Sequence, residues 1–219
     1  MTDPFHRPPT AQEAVLAELR RAIVSGELAP GAQVLQDQLA ERYGVSRVPL
    51  REALKVLEAE GQVTYRPHRG YFVTELSLAD LLEVYRIREL LEGEAVRVAV
   101  GRLTDDDLDR LADAVSDCER AATRGDVAGM TEANRRLHLG LVEAADMPRL
   151  ARLVRVLWDA TDAYRSLYYA AGVSRAVVEA EHRAVLAALR RRDAETVVRL
   201  LNEHREHAVA HLRTVLGQR

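Results

Sequence analysis

The chain is poor in the features that mark several protein classes. It has a single cysteine, Cys118, in 219 residues, which excludes an intrachain disulfide framework and fits a reducing compartment. Cys118 is therefore expected to be a buried, inert thiol. Charges interrupt every apolar run, so no segment reads as a membrane span, and residues 1–10 lack the apolar core of a signal peptide. The expectation is a cytoplasmic protein with no membrane partner. Positive charge is not in excess either: the formal net charge is −3, and Met1 to Glu75 carries nine Lys/Arg against ten Asp/Glu. Nothing about nucleic acid can rest on the isoelectric point. The positive charge is local, at Arg42, Arg47, Arg51, Lys55, Arg66 and Arg69, and a local patch suffices because phosphate contacts act within a Debye length of about 8–10 Å. There is no low-complexity tract and no internal repeat. What remains, 47% apolar and 30% charged residues, describes a soluble globular chain long enough for one large or two modest domains.

The most informative stretch runs from Gly44 to Lys55. Ser46 is placed to cap a helix by accepting a bond from a free first-turn N–H. Leu50, Ala53, Leu54 and Leu57 fall on one stripe, with Arg47, Arg51 and Lys55 four apart on the other. An isolated basic stripe is more often a solvated face. Context reverses that reading, because Leu35 to Tyr43 is a short amphipathic segment with Leu35, Leu39 and Tyr43 spaced for one face, and Gly44 follows as a left-handed C-cap. Helix, glycine turn and capped basic helix form a helix-turn-helix, whose second helix enters the major groove by its N-terminal end. Pro49 is tolerated in the first turn.

Upstream, Thr10 to Glu13 reads as a capping box, Val15, Leu16, Leu19 and Ile23 continue at helical spacing, and Gly26 closes that helix. Leu28 to Gly31 is a turn. Downstream, Gln62–Arg66 and Tyr71–Thr74 are rich in Val, Tyr, Phe and Thr and flank Pro67-His68-Arg69-Gly70, a β-hairpin with a basic tip. This is the wing of a winged helix-turn-helix. From Ser77 no strand-like alternation returns. Amphipathic helices are expected near 77–101, 104–123, 126–145, 148–171, 174–191 and 193–216, opened by Ser77, Thr104, Asp126, Ser174 and Asp193 as caps and by Pro148 at a first helical position. Short breaks imply antiparallel neighbours. The fold class is thus mainly α: residues 1–76 as a winged helix-turn-helix of three helices plus a hairpin, residues 77–219 as an all-α antiparallel bundle.

Gly44 to Leu54, Leu57-Glu58-Ala59-Glu60-Gly61 and the wing Arg69-Gly70-Tyr71-Phe72-Val73 closely resemble the GntR superfamily of bacterial transcription regulators. The helical remainder is similar to the FCD ligand-binding domain of its FadR-like subgroup. The resemblance implies that Ser46, Arg47 and Arg51 contact bases and phosphates, with an arginine able to fork onto guanine. It also implies that Arg42 and Lys55 grip phosphates. The wing residues His68, Arg69 and Gly70 would enter the minor groove, Gly70 also serving the tight turn, while Glu52 orients an arginine.

The second unit holds a histidine constellation. Asn134 and His138 lie four apart on one helix face, His182 comes from the fifth helix of the bundle and His204 from the last. Any one histidine is more often a surface or core residue, but imidazoles and an oxygen ligand converging from three helices can surround one divalent ion. The set resembles the Asp, His, His, His pattern of metal-binding FCD domains, with Asn134 where those carry Asp. A neutral amide lowers affinity and leaves the cation more net charge, which favours an anionic effector. Zinc ranks ahead of nickel, manganese and iron, and His207 and His211 are expected on the solvated surface. Arg88 matches an arginine that in this family projects toward the effector cavity, where its fork suits a carboxylate; it equally suits an i, i+4 pair with Glu92 on a solvated face. Tyr164, Arg165 and Tyr168 either line that cavity or form a packing edge.

The leading expectation is a DNA-binding transcription regulator, a repressor that binds a palindromic double-stranded operator as a homodimer and responds to a small carboxylate. A metal-dependent enzyme using Asn134, His138, His182 and His204 is the alternative, weakened because Glu181 and Glu203 adjoin histidines in sequence and so point about 100° away on the helix. A third reading makes the bundle purely structural.

Overall fold

The computed structural model describes residues 9–75, 77–171 and 175–217, and the chain divides after Glu75 into two compact units. In the first, α1 (Ala11–Val24) opens on the Thr10–Glu13 capping box and ends with Ser25 as C-cap, Gly26 following at φ 78°. Next come α2 (Gln36–Tyr43), α3 (Arg47–Ala59), β1 (Val63–Arg66) and β2 (Gly70–Val73). Packing of α1 on α3 makes the core. Leu50, Ala53, Leu54 and Leu57 are all fully buried, each leucine contributing about 2 kcal/mol of apolar burial.

Three local expectations are corrected. Leu35 is not on the buried face of α2; it is the N-cap residue and is exposed, while Leu39 alone of the proposed stripe is fully inside. Ser46 occupies the N-cap of α3 in extended conformation, but its side chain makes no capping bond, so its hydroxyl stays available. Glu52 accepts from Lys55 Nζ at 3.0 Å rather than holding an arginine. Gly44 does take the left-handed conformation between α2 and α3, at φ 64°.

The hairpin is antiparallel, with Val63 opposite Val73 and Arg66 opposite Gly70. Residues 31–34 run beside β2: Val34 N–H donates to Tyr71 O and Val73 N–H to Ala32 O. This backing fixes the wing to the body of the unit. At its tip His68 holds φ 62° and Gly70 φ 85°. The first costs a residue with a β-carbon about 1–2 kcal/mol.

The second unit consists of α4 (Leu78–Val100), α5 (Asp105–Arg124), α6 (Val127–Glu143), α7 (Pro148–Ala170), α8 (Arg175–Arg190) and α9 (Ala194–Leu216). Ser77, Thr104, Asp126 and Asp193 accept first-turn N–H groups, and Pro148 stands at the start of α7. Ser174, expected as a cap, lies outside the described residues. Sequential helices pack as α5 on α6 and α6 on α7, but α4 also packs on α7 and α9, and α5 on α8. One apolar cluster, from Ala95 through Trp158 to Leu201, fills one part of this core; another, around Tyr85, Tyr164, Tyr168 and Leu212, fills a second. Cys118 is buried in the latter, and burial raises its thiol to about 11. Among the described residues, no helix is long and apolar enough to cross a membrane.

Candidate DNA interface and buried histidine centre

At the head of α3, Ser46, Arg47 and Arg51 are exposed. Arg47 Nε lies 2.7 Å from Asp37 on α2, an ion pair whose members are both largely solvated and therefore of little energetic weight. Arg42 pairs with Glu27, and Lys55 with Glu52. Arg51 forms no ion pair among the described residues. On the wing, His68 and Arg69 are exposed; the Arg69 guanidinium carbon lies 5.7 Å from the Phe72 ring centroid, and Gln33 Nε2 donates to Arg69 O at 2.6 Å. Arg47, Arg69 and Gly70 share the walls of one surface groove with Gln33 to Gln38. The head of α3 and the wing thus bring Arg47 and Arg69 to one groove, although the unit has no net positive charge.

The second unit buries several polar groups, from Arg88 and Glu92 to His204 and Arg205. His138, His182 and His204, from α6, α8 and α9, each offer a ligand atom within 4.8 Å of the others, and all three are buried. The His182 and His204 ring centroids are 5.0 Å apart, and those of His138 and His204 5.5 Å. The Nε2 atom of each ring has no hydrogen-bond partner, nor has either amide atom of Asn134, which is fully buried one turn before His138. Burial, together with the neighbouring imidazoles, holds His138 well below its ordinary range, and burial with His204 and Arg165 does the same to His182. Neutral rings with free lone pairs are the form that binds a cation. The donor set fits a borderline divalent ion: three imidazole nitrogens and an amide oxygen.

Glu181 is a participant that sequence spacing argues against. Its Oε2 is 2.6 Å from His204 Nδ1 and its other oxygen meets His207 Nδ1. Neighbours on one helix do diverge, yet Glu181 reaches across to α9, a contact that only helix packing creates. A carboxylate at Nδ1 keeps the proton there and leaves Nε2 as the lone pair. His207 is exposed, whereas His211 is half-buried with its ring 5.4 Å from that of Tyr168.

Of the two readings of Arg88, the i, i+4 pair is the one observed. It pairs with Glu92 at 2.7 Å, but in the interior rather than on a solvated face, and its Nη1 donates to Thr161 Oγ1 at 3.2 Å. Its guanidinium carbon sits 3.8 Å from the Trp158 ring centroid. Glu92 also accepts from Trp158 Nε1 at 2.9 Å and from Arg205 Nη2 at 2.8 Å. Burial alone would raise this carboxyl; Arg88 and Arg205 overcome it and bring Glu92 down to about 2. Tyr164 is tied by its hydroxyl to the backbone of Ser77, accepting from N at 2.6 Å and donating to O at 3.0 Å. Tyr168 is buried, its ring 5.3 Å from that of Tyr169, and burial raises its hydroxyl to about 12.

A winged helix-turn-helix joined in one chain to a helical unit with a buried polar centre defines the class of ligand-sensing DNA-binding regulators. Residues 11–73 match the bacterial regulatory proteins of the gntR family, and residues 83–207 match the FCD domain. The chain belongs to the GntR family of bacterial regulators, in its FCD-containing form. It is 28% identical over 202 residues to the HTH-type transcriptional regulator YdhC of Bacillus subtilis, covering 92% of this chain and 90% of that one. It is 27% identical over 186 residues to the HTH-type transcriptional repressor RspR of Escherichia coli K12, covering 85% and 82%. The solved structure of E. coli McbR/YncC superposes with a TM-score of 0.84 at 29% identity, covering 95% of this chain and all of that one. The protein is accordingly a DNA-binding transcriptional regulator and not an enzyme.

Proposed function

We propose that this regulator is a homodimeric, cytoplasmic repressor of a palindromic operator, released by a small carboxylate that binds beside a divalent metal in the bundle. The observation that supports it most is the group of partnerless Nε2 atoms on His138, His182 and His204, three imidazoles whose ligand atoms lie within 4.8 Å of one another. Each such buried polar atom costs about 1–3 kcal/mol unless something satisfies it. RspR, a relative across most of the chain, is named a repressor.

In this reading Ser46, Arg47 and Arg51 meet bases and phosphates in the major groove, Arg42 and Lys55 hold phosphates, and His68, Arg69 and Gly70 enter the minor groove. Exchange of the Asp37 and Glu27 partners for phosphate costs little, since both pairs are exposed. Asn134, His138, His182 and His204 would hold the metal, with Glu181 orienting His204. When bound, the ion supplies positive charge for an anionic ligand. Arg88, Tyr164 and Tyr168 belong to the surrounding walls, as Arg88 is engaged by Glu92 and Tyr164 by Ser77.

Dimerisation is supported by α4 and α7, which pack together and expose large apolar side chains: Ile87 at 39%, Leu90 at 59%, Leu153 at 57% and Val156 at 39%. The test is operator selection from random DNA, with the mass of the complex measured by sedimentation. Two chains per palindromic site are expected, with release by a panel of small carboxylates. Leu90→Glu should weaken self-association by about 2 kcal/mol or more, roughly thirtyfold. An operator that one chain occupies, or a variant that stays dimeric, would remove the dimer from the proposal.

The metal has a separate check. Elemental analysis of protein purified without chelator should give about one zinc per chain, absent from His182→Ala. Asn134→Asp should tighten binding on the order of tenfold, because a carboxylate adds charge to the ligand set. Metal-free wild-type protein with an intact fold would count decisively against the site.

A further inference from the structure

Four guanidinium groups of the second unit are drawn inward, Arg88, Arg165 and Arg205 buried and Arg135 half-buried. Three carboxylates answer them. Arg88 and Arg205 share Glu92, and Arg135 bonds Asp159 and, at 3.1 Å, Asp162. Arg165 on α7 is different. It is 4% exposed, forms no ion pair among the described residues, and its Nη1 is buried without a hydrogen-bond partner.

Its guanidinium carbon lies 5.2 Å from the Trp158 ring centroid and 6.0 Å from that of Tyr85. The Trp158 ring in turn is 5.0 Å from the His138 ring. Arg165 and His138 thus both lie against the Trp158 ring. The aromatic faces attract a cation but do not neutralise it, and Glu92 acts on Arg165 only through space, without bonding it, so a buried guanidinium Nη1 is left unsatisfied at a cost. A divalent ion on three neutral imidazoles and a neutral amide would likewise keep both its charges. Positive charge then stands at two places, and a ligand with one acidic group can answer only one of them.

We infer that the ligand of this centre is a dianion, with one acidic group directed to the cation held by Asn134, His138, His182 and His204 and the other held by Arg165. The inference rests on the metal-bearing effector site proposed above and narrows the class of acid it takes. It also moves the anion-binding fork from Arg88, whose partners are already present, to Arg165, whose partner is not. A dicarboxylate and a phosphate monoester share this chemistry.

Calorimetric titration of the zinc-loaded full-length protein separates the possibilities. Malonate, succinate, glutarate and adipate are each compared with the monocarboxylate of the same carbon count, and glycerol 1-phosphate and inorganic phosphate form the second arm. At least one dianion should bind about tenfold or more tightly than any monoanion. Tightest binding in the first arm identifies a dicarboxylate, and in the second a phosphoryl group. Arg165→Gln should erase the preference while leaving monoanion affinity within about threefold, and Arg165→Lys, which keeps the charge, should retain part of it. Equal affinity for mono- and dianions in the wild type overturns the inference whatever the variants do, as does an unchanged preference in a folded Arg165→Gln. If monoanions bind and His182→Ala abolishes their binding, the effector site stands and only its dianion selectivity falls. If no acid binds and none releases the operator, the effector-site proposal fails together with the inference.

Discussion

Arg51→Ala is expected to abolish specific operator binding while leaving the helical content and the oligomeric state unchanged. Arg51 sits on the exposed face of α3, opposite the buried Leu50, Ala53, Leu54 and Leu57, so its truncation removes no core contact. A bidentate arginine–guanine contact carries about 1–3 kcal/mol of discrimination. In a dimer reading two half-sites the loss counts twice, about 2–6 kcal/mol in all. Arg47 should matter less, because in the free protein it already has Asp37 at 2.7 Å and part of its gain on DNA is an exchange of partners. Lys55→Ala should lower affinity almost uniformly across sequences and reduce the salt dependence by about one counter-ion per half-site. Gel shifts at several salt concentrations distinguish these outcomes. Retained affinity in Arg51→Ala would displace α3 as the reading element.

The largest stability effect is expected from Glu92→Gln. Glu92 is the only carboxylate bonded to Arg88 and Arg205 among the described residues, and all three groups are buried. Removing the anion leaves two guanidinium groups in the interior, a change that costs about 3–5 kcal/mol. For a unit of this size the melting temperature should fall by on the order of 10 °C or more. Replacing the cation and anion together, as in Arg88→Met with Glu92→Leu, should recover part of the loss, since it removes the desolvation cost along with the attraction. The pH dependence follows from the depressed carboxyl. Its pKa is lowered from 4.5 to about 2, so its stabilising contribution is complete above the unfolded-state value and is lost as pH falls from there through about 2. The wild type should lose stability in that window more steeply than Glu92→Gln. Thermal melts between pH 7 and pH 3 measure both effects; a melting point unchanged at neutral pH would show the network to be dispensable.

Much of the architecture was legible in local sequence. Thr10 with Glu13, and Thr104, Asp126 and Asp193 singly, mark helix starts because their short oxygen-bearing side chains reach N–H groups within the same turn. Gly44 marks the turn of the helix-turn-helix because its backbone is left-handed there. The places where local reading failed have physical reasons too. Leu35 reads as helical by spacing but falls one residue before α2, where it is 47% exposed. Ser46 occupies the cap position without capping.

The basic stripe Arg47, Arg51, Lys55 and the step from Asn134 to His138 are periodicities of single helices, and sequence alone determined them. So were the hairpin wing and the succession of long helices, because hydrogen bonding and apolar burial within a segment repeat with the segment's own period. Only tertiary structure decided which charges meet. It brought Glu181 across to His204, set Arg205 on Glu92 from 113 positions away, and left Arg165 buried with no carboxylate bonded to it among the described residues. Those pairings depend on the rotation and register of one helix against another, which no spacing along the chain encodes.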